Sequence, residues 1–241
     1  MNIQELKKQM AAAFPCRIEL HAHTTPVSIC SEVTPEEMVR VYKGLKFDGV
    51  VITNHFVNQP DLGTKKEYID RYINAVEETK AWGDKLDLKV YLGAEIRFAE
   101  NVNDYLVFGV DRTMLEEIYD LLPYGVENFR KQYGMPRSLF IQAHPMRNGI
   151  TPVDPALLDG VEAFNMHPNH NSRVGVSAAY AQAHPDWILT AGSDFHHPNL
   201  GHEGLAAVRF AELPEDSFDL AKKLREREFI METGRNSVFM L

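Results

Sequence analysis

The feature that most constrains the fold of this chain is a series of short apolar runs, each ending in a polar residue that can bind a metal or form a hydrogen bond. Their lengths and β-branched content are typical of buried strands. The six runs occupy residues 17–21, 49–55, 89–95, 139–144, 160–165 and 187–194. We therefore predict six strands whose last residues carry the chemistry.

Helix-start signals lie between the runs. Thr34, Thr64 and Thr113 are each followed three residues later by Glu, which is the capping-box spacing, and Asp154 precedes a proline. A longer helical insert is predicted over 113–134. Strands that alternate with helices favour parallel pairing through right-handed crossovers. The strand ends would then meet at one end of an α/β barrel, which we prefer to a doubly wound sheet because no G-x-G-x-x-G turn follows the first run.

Composition sets the protein class. With 241 residues, 44% hydrophobic and 24% charged, the chain is predicted to be a single globular domain over 1–241. The net charge of −9 argues against a broad nucleic-acid surface. The opening residues read as an amphipathic helix, and no run approaches the roughly 20 apolar residues of a membrane span, so a cytoplasmic protein is expected. Cys16 and Cys30 match no zinc-ribbon or redox spacing.

Histidines and carboxylates at the strand ends predict a metal cluster. His21 and His23 are two residues apart, so on a strand they share one face. Asp194 and His196 repeat this spacing. Three further strand-end residues complete the set, namely His55, Glu95 and His144. Nitrogen and carboxylate oxygen ligands suit zinc, iron or manganese. Each histidine alone could be structural, but the ordered set favours metal binding.

These residues resemble the successive motifs of the polymerase and histidinol phosphatase (PHP) superfamily. The motifs are Leu-His-Ala-His at 20–23, Thr-Asn-His at 53–55, Gly-Ala-Glu at 93–95, Ala-His-Pro at 143–145 and Gly-Ser-Asp-Phe-His at 192–196. The resemblance spans about 17–210. It implies a distorted (β/α)7 TIM-like barrel and a metal-dependent phosphoric ester hydrolase.

The resemblance also implies ligand sets for two or three divalent ions. The first ion would bind His21, His23, Glu95 and Asp194. Glu95 would bridge to a second ion that is also held by His144, and His55 and His196 would serve a third. A hydroxide shared by the metals would attack the phosphorus. Glu95, Asp194 and His196 would be the catalytic residues.

Two departures from the family pattern concern the third ion. Asn54 stands where family members commonly have an acid, and residues 26–33 form a longer loop in place of a short Ser-Asp-Gly element. Asn54 is expected to tune His55 from outside the metal shell. Glu32 is the only carboxylate between His23 and the following helix, so it is a candidate third ligand.

Phosphate recognition needs positive charge beyond the metals. Arg97 and Arg147 follow motif residues, and Arg173 closes the run Asn-His-Asn-Ser-Arg at 169–173. All three could bind phosphate oxygens through planar guanidinium groups. His170 is a further candidate substrate ligand. An ordinary surface or ion-pair role is the alternative for each of these side chains.

The predicted function is hydrolysis of a small phosphorylated metabolite or nucleotide, as a phosphomonoester or phosphodiester. Two alternatives stay open. A metal-dependent amidohydrolase also uses H-x-H and a late Asp, although that class usually has a metal-bridging lysine or carbamate where Glu95 stands. A non-catalytic metal-binding domain that supports a partner is the second alternative.

Overall fold

The structure is a computed structural model that describes residues 2–58, 63–151, 153–234 and the strand at 238–240. The strands are β1 (Cys16–Ala22), β2 (Gly49–Ile52), β3 (His55–Val57), β4 (Lys89–Arg97), β5 (Asp104–Phe108), β6 (Leu139–Gln142), β7 (Gly160–Asn165), β8 (Ile188–Gly192), β9 (Ala206–Phe210), β10 (Phe229–Thr233) and β11 (Val238–Met240). All six predicted strands are therefore present, in each case within or overlapping the expected run.

Helices separate most of the strands. They are α1 (Ile3–Ala13), α2 (Pro35–Gly44), α3 (Lys65–Leu86), α4 (Arg112–Leu121), α5 (Gly125–Gln132), α6 (Val174–Gln182) and α7 (Ser217–Arg225). None of the described helices is both long and apolar enough to cross a membrane.

Two of the three predicted capping boxes are confirmed. Thr34 caps α2 and Thr64 caps α3, and in each case a Glu side chain reaches back to the cap. The prediction for Thr113 is wrong, because the side chain of Asp111 accepts the Met114 N–H and α4 therefore begins earlier. Asp154 does begin a helix, but only a single 3-10 turn.

The sheet order is β11-β10-β9-β1-β2-β4-β5-β6-β7-β8, with β3 also paired to β4. The pairs β1–β2, β2–β4, β6–β7 and β7–β8 are parallel, as predicted. The antiparallel pairs all involve strands that were not predicted from the sequence. The β4–β5 and β5–β6 pairs are antiparallel, as are the pairs of β9 with β1 and β10. A connection too short for a crossover helix joins β4 to β5, so that pair forms a hairpin.

The sheet closes where the chain leaving β8 meets β1. The N–H of His23 donates to the carbonyl of Phe195 at 3.0 Å, and the N–H of Phe195 donates to the carbonyl of His21 at 3.2 Å. Closure brings the carboxyl ends of β1 and β8 side by side. The predicted α/β class and the distorted, TIM-like barrel are confirmed.

Two apolar layers hold the barrel together. The inner layer contains strand side chains such as Ile18, Leu20 and Val51, and α7 packs against it. The outer layer joins the opposite strand faces, including Ala22, to α2, α3, α4 and α5. On β4, Ala94 and Ile96 lie in the outer layer, so the alternating residues Glu95 and Arg97 face inward.

Candidate metal centre

Seven predicted ligands meet at the carboxyl ends of the strands around Glu95, which is 1% exposed. The Nε2 atoms of His21 and His144 each lie 3.2 Å from Glu95 Oε1. Its other oxygen lies 3.5 Å from His23 Nε2 and 2.7 Å from His55 Nδ1. Asp194 and His196 complete the set, since Asp194 Oδ1 is 3.4 Å from His21, 3.5 Å from His23 and 3.3 Å from His196.

Two irregularities in strand pairing aim side chains at this centre. Between Glu19 and Ala22 the pairing of β1 with β2 shifts register, and in β7 a second shift follows Glu162. An extra residue in one strand changes which face the following side chains occupy. In β1 it allows His21 to point inward although Leu20 also packs in the inner layer. In β7 it brings both Glu162 and Asn165 to the centre.

Glu162 orients His21 and was not predicted from the sequence. Its Oε1 lies 2.8 Å from His21 Nδ1, and its Oε2 accepts the His144 N–H at 3.0 Å and the Asn165 amide at 2.9 Å. A carboxylate accepts hydrogen bonds, so the contact with Glu162 keeps a proton on His21 Nδ1 and makes Nε2 the atom that would bind a metal in place of its proton. A histidine held in this way is prepared to bind a metal.

The electrostatics of the cluster favour ionised carboxylates on Glu95 and Asp194 and a protonated ring on His21. Burial alone would raise the pKa of Glu95, but His21 and His55 hold that pKa well below its usual value. Asp194 behaves alike, with its pKa lowered by His21, His23 and His196 against the effect of burial. Burial lowers the pKa of His21, but Glu162, Asp194 and Glu95 outweigh it and raise that pKa well above its usual value.

Several buried atoms of the cluster lack a partner in hydrogen-bonding geometry among the described residues, although some lie within ion-pair distance of a neighbour. They are Nε2 of His21, Nε2 of His23, Oε2 of Glu95 and Nδ1 of His144. Unpaired buried polar atoms are costly and rare in folded proteins. Ligand atoms of His21, His23 and Glu95 lie within 4.8 Å of one another, and nitrogen with carboxylate oxygen is the donor set that a divalent transition metal takes. The residues therefore fit a metal ion.

Asp104, at the start of β5, is a second residue that the sequence did not predict. Its Oδ2 lies 3.7 Å from His144 Nε2, and single ligand atoms of His55, Glu95 and Asp104 lie within 4.8 Å of one another. Arg97 holds Asp104 by two bonds, from Nε at 2.7 Å and from Nη2 at 2.8 Å. Arg97 thus faces the centre as predicted, but its guanidinium is engaged with a carboxylate.

Arg147 also reaches the cluster. Its Nη2 donates to Asp194 Oδ2 at 2.5 Å and to Asn165 Oδ1 at 3.0 Å. His144 and Asp194 both have left-handed backbone conformations, with φ of 31° and 53°. Such conformations are unfavourable for residues with a Cβ and concentrate at functional sites.

The residues predicted for a third ion, His55 and His196, form a group with His23. One ring nitrogen from each of His23, His55 and His196 falls within a group whose atoms are within 4.8 Å of one another. Glu32 is not in that group. Its side chain is 73% exposed and lies 3.5 Å from His197 Nδ1.

Asn54 supports this region from outside the cluster, as expected. Its Oδ1 accepts the N–H of Thr24 at 2.6 Å and the hydroxyl of Ser28 at 3.0 Å. The Ser28 Oγ lies 3.1 Å from His23 Nδ1 and accepts the His55 N–H at 3.0 Å. Asn54 thereby fixes the loop that positions two of the histidines.

The remaining predicted substrate residues differ in placement. His170 lines the cavity over the cluster, and its ring packs 4.5 Å from that of His167. Burial is the largest cause that lowers the pKa of His170. Arg173 is exposed, donates to the Asn148 side chain at 2.6 Å and is outside the residues that line the cavity. The structure thus brings His170, Arg97 and Arg147 to the cavity, whereas Arg173 lies at its edge.

The cavity that opens onto the cluster has a volume of about 840 Å³. Glu95, Asp194 and His144 lie on its wall together with Arg97 and Arg147. A space of this size accommodates a small-molecule substrate.

Comparison with known proteins shows where this fold occurs. No protein-family model matches the chain, and a search of curated protein sequences finds no match. Solved structures do match. One is a two-domain protein from Bacteroides vulgatus containing a predicted PHP-like metal-dependent phosphoesterase, with a TM-score of 0.62 and 15% identity over 91% of this chain and 65% of that one. The chain has a PHP-like fold.

Two further solved structures match the fold of this chain. PsfC from Pseudomonas syringae has a TM-score of 0.58 and 18% identity over 94% of this chain and 92% of its own. The lesion-specific endonuclease EndoQ from Pyrococcus furiosus has a TM-score of 0.53 and 13% identity over 94% of this chain and 58% of its own. This chain therefore spans less than two thirds of the Bacteroides and Pyrococcus proteins. At these identities the likeness concerns the fold.

Proposed function

We propose that the protein is a metal-dependent phosphoric ester hydrolase, and that residues 1–241 act as one catalytic domain on a small phosphorylated metabolite or nucleotide. The observation that carries the proposal is the group of unpaired, buried nitrogen and carboxylate oxygen atoms at the base of a cavity that also contains arginine. The PHP-like fold supports it.

In this proposal His21, His23, Glu95 and Asp194 hold one ion. Glu95 and His144 hold a second, and the position of Asp104 adds a carboxylate that we assign to the same ion. Zinc, manganese and iron all suit these donors. When bound, divalent ions would lower the pKa of a water molecule and neutralise charge on the phosphoryl oxygens.

The chain's own residues supply binding and orientation. Arg147 Nη2 already contacts one carboxylate oxygen of Asp194 and lies on the cavity wall. A phosphate oxygen presented from the cavity would find the same guanidinium within reach, and such charge-assisted hydrogen bonds are among the stronger ones in proteins. His170 is placed to contact the rest of the substrate. Arg97 holds Asp104 in position.

The roles of Glu95, Asp194 and His196 as catalytic residues follow from their location in the cluster. Glu95 would be shared by two ions because its Oε1 lies near both His21, which we assign to the first ion, and His144, which we assign to the second. Its Oε2 lies near His23 and His55. Asp194 faces the cavity beside Arg147, and the ring of His196 stacks on that of His23 at 4.0 Å.

The experiment that tests this function is a hydrolysis screen of metal-loaded protein over phosphomonoesters, small phosphodiesters, a single-stranded oligonucleotide and amides. We expect turnover of a phosphomonoester or small phosphodiester that disappears with chelator and returns with metal. Cleavage of amides alone would favour the amidohydrolase alternative. A protein that binds metal and cleaves none of the esters or amides would favour the alternative of a non-catalytic metal-binding domain.

A further inference from the structure

The wall of the cavity changes from polar to apolar a short distance from the metal centre. Three apolar side chains line the cavity there, and we call them the apolar rim: Val57, Val102 and Ile150. Each lies two or three residues along the chain from a polar residue of the cavity wall, namely His55, Asp104 and Arg147 respectively. On β3 the spacing of two residues puts Val57 on the same strand face as His55. The cavity is therefore polar around the metal donors and apolar next to them.

The apolar rim is held in place by hydrogen bonds of the adjoining residues. Asn103, which is fully buried, donates from Nδ2 to the Thr151 carbonyl at 2.8 Å and accepts the Thr151 N–H on Oδ1 at 2.8 Å. These two bonds join the turn that carries Val102 to the turn that carries Ile150. The N–H of Val57 donates to the hydroxyl of Tyr68 at 3.0 Å. The rim is therefore a built surface of the cavity.

The rim leaves apolar surface in contact with solvent. Val102 is 54% exposed, although it lies on the wall of a cavity. A single exposed valine is ordinary on a protein surface, but apolar residues grouped in a cavity are typical of a ligand-binding site. An apolar group that covers them removes surface from water, which is favourable. The rim can thus contribute binding energy that the polar centre does not supply.

The two parts of the cavity fit a ligand that also has two parts. An anionic phosphate belongs at the centre, beside Arg147 and the metal donors. Sugar hydroxyl groups placed against the rim would lose hydrogen bonds to water without replacement, because valine and isoleucine side chains cannot form any. Tyr68, which lies behind Val57, is 4% exposed and offers little ring surface on which a nucleobase could stack. An aliphatic chain is the group that matches the rim.

We propose that the apolar rim binds the aliphatic part of a phosphate ester whose phosphate lies at the metal centre. The substrate class is then an alkyl phosphate with a chain of several carbon atoms, and not a sugar phosphate or a nucleotide. The cavity volume of about 840 Å³ accommodates such a chain in addition to the phosphate. The inference rests on the proposed function for the position of the phosphate, and it narrows the substrate of that function.

Alkylphosphonates test the rim through binding alone, because they contain a carbon–phosphorus bond that ester hydrolysis does not cleave. Calorimetric titration of zinc-loaded wild type with a series from methylphosphonate to hexylphosphonate measures the affinity. Complete burial of one methylene group improves affinity up to about fourfold. We expect at least about twofold for each methylene, so that hexylphosphonate binds at least about 30-fold more tightly than methylphosphonate.

Two valines of equal exposure provide a variant and its matched control. Val102 and Val176 are each 54% exposed, but Val176 lies on α6, outside the residues that line the cavity. Val102→Ser should weaken the binding of hexylphosphonate about three- to tenfold and leave that of methylphosphonate unchanged. Val176→Ser should match wild type with both ligands. Circular dichroism of both variants checks that they fold.

A pair of esters extends the test to turnover. Propyl phosphate and glycerol phosphate have carbon chains of the same length, and glycerol phosphate carries additional hydroxyl groups. We expect kcat/KM to be at least about fivefold higher for propyl phosphate, because the rim leaves those hydroxyl groups without hydrogen-bond partners. A preference for glycerol phosphate, or for a nucleoside monophosphate over hexyl phosphate, would overturn the assigned substrate class.

The outcomes separate this inference from the proposed function. Ester hydrolysis by a protein that binds all the phosphonates equally would leave the hydrolase standing and overturn the alkyl site. An equal gain with chain length in wild type and Val102→Ser would also overturn it. Binding that tightens with chain length, in a protein that cleaves no ester, would support the alkyl site and contradict the hydrolase. Protein that binds no phosphonate would contradict both.

Discussion

The two ends of β1 bury polar side chains in different ways. At its beginning, Arg17 donates to both oxygens of Glu232, from Nε at 3.2 Å and Nη2 at 3.1 Å, and from Nη1 to the Leu45 carbonyl at 2.9 Å. At its end, His21 and the adjoining His23 each keep a buried Nε2 without a hydrogen-bond partner among the described residues.

The difference separates a structural ion pair from a binding site. A buried charge whose hydrogen bonds are satisfied within the protein joins elements of the fold, here β1 to β10. Buried polar atoms left unpaired carry a cost that a bound ion or water molecule can offset. The same strand thus anchors the barrel at one end and presents metal donors at the other.

The largest expected effect comes from removing a metal donor from the cluster at the carboxyl end of β1. We expect Asp194→Asn and His21→Ala each to lower turnover at least about a hundredfold, because stabilisation of developing charge contributes several kcal/mol. Steady-state kinetics with circular dichroism as a check on folding would measure this. Glu232→Gln is the matched control, because it makes the same carboxylate-to-amide change beside the amino end of β1. This variant should keep wild-type turnover. Wild-type turnover in both Asp194→Asn and His21→Ala would contradict the assignment.

Replacing the two arginines of the cavity should affect different properties of the protein. Arg147→Ala should lower kcat/KM roughly 10- to 100-fold, on the scale of about 1.5–3 kcal/mol for a charge-assisted hydrogen bond, with metal content unchanged. Arg97→Ala should instead weaken metal binding, because Asp104 loses both bonds that hold it. Kinetics and metal analysis of both variants measure the split. Loss of metal from Arg147→Ala would show that it orders Asp194 and not the substrate.

A change at Glu162 tests the cluster without touching a proposed ligand. Its oxygens accept bonds from His21, His144 and Asn165, so an amide at this position must lose at least one of them. Glu162→Gln is expected to weaken metal affinity about 10- to 100-fold. A competition titration with a chelator measures the affinity. Glu32→Gln is the control and should match wild type, since that side chain is exposed; equal affinity in Glu162→Gln would show that His21 needs no orientation.

The last prediction concerns the middle of β1 and affects stability, not turnover or metal binding. Burial raises the pKa of Glu19 from 4.5 to about 7, although it accepts bonds from His21, Ser193 and Tyr42. A folded-state pKa above the unfolded one gives stability that is complete below about 4.5 and is lost as pH rises through about 7. The loss corresponds to roughly 3 kcal/mol.

Denaturant unfolding of metal-free wild type and Glu19→Gln from pH 4 to 8 would measure it. The amide cannot ionise, so the difference in stability between the two proteins should shift in favour of the variant as pH rises. A difference that does not change with pH would show that Glu19 is not destabilised by ionisation.

Much of this architecture was predictable because local patterns determine it. Apolar runs that end in polar residues gave all six predicted strands, and the i, i+2 spacing placed His21 and His23 on one face. The antiparallel pairs escaped prediction because their pairing depends on connections and not on the strand residues. Asp104 shows this, since it enters the centre only because β5 folds back on β4.

Glu162 could not be predicted for another reason, and neither could the position of Glu32. Glu162 reaches His21 through an irregularity in the pairing of β7 with β8, and no local residue pattern marks that shift. Glu32 lies in a loop whose path is set by hydrogen bonds from Ser31 to two distant segments. Its side chain therefore faces His197 and not the metal cluster.

Metal stoichiometry tests the central claim most directly. Protein purified without chelator should contain, or take up on addition, at least two divalent transition metal ions per chain, measured by elemental analysis after removal of free metal. His21→Ala and Asp194→Asn should retain fewer ions, while Glu232→Gln should match wild type. Protein that contains no metal and takes up none would contradict the account.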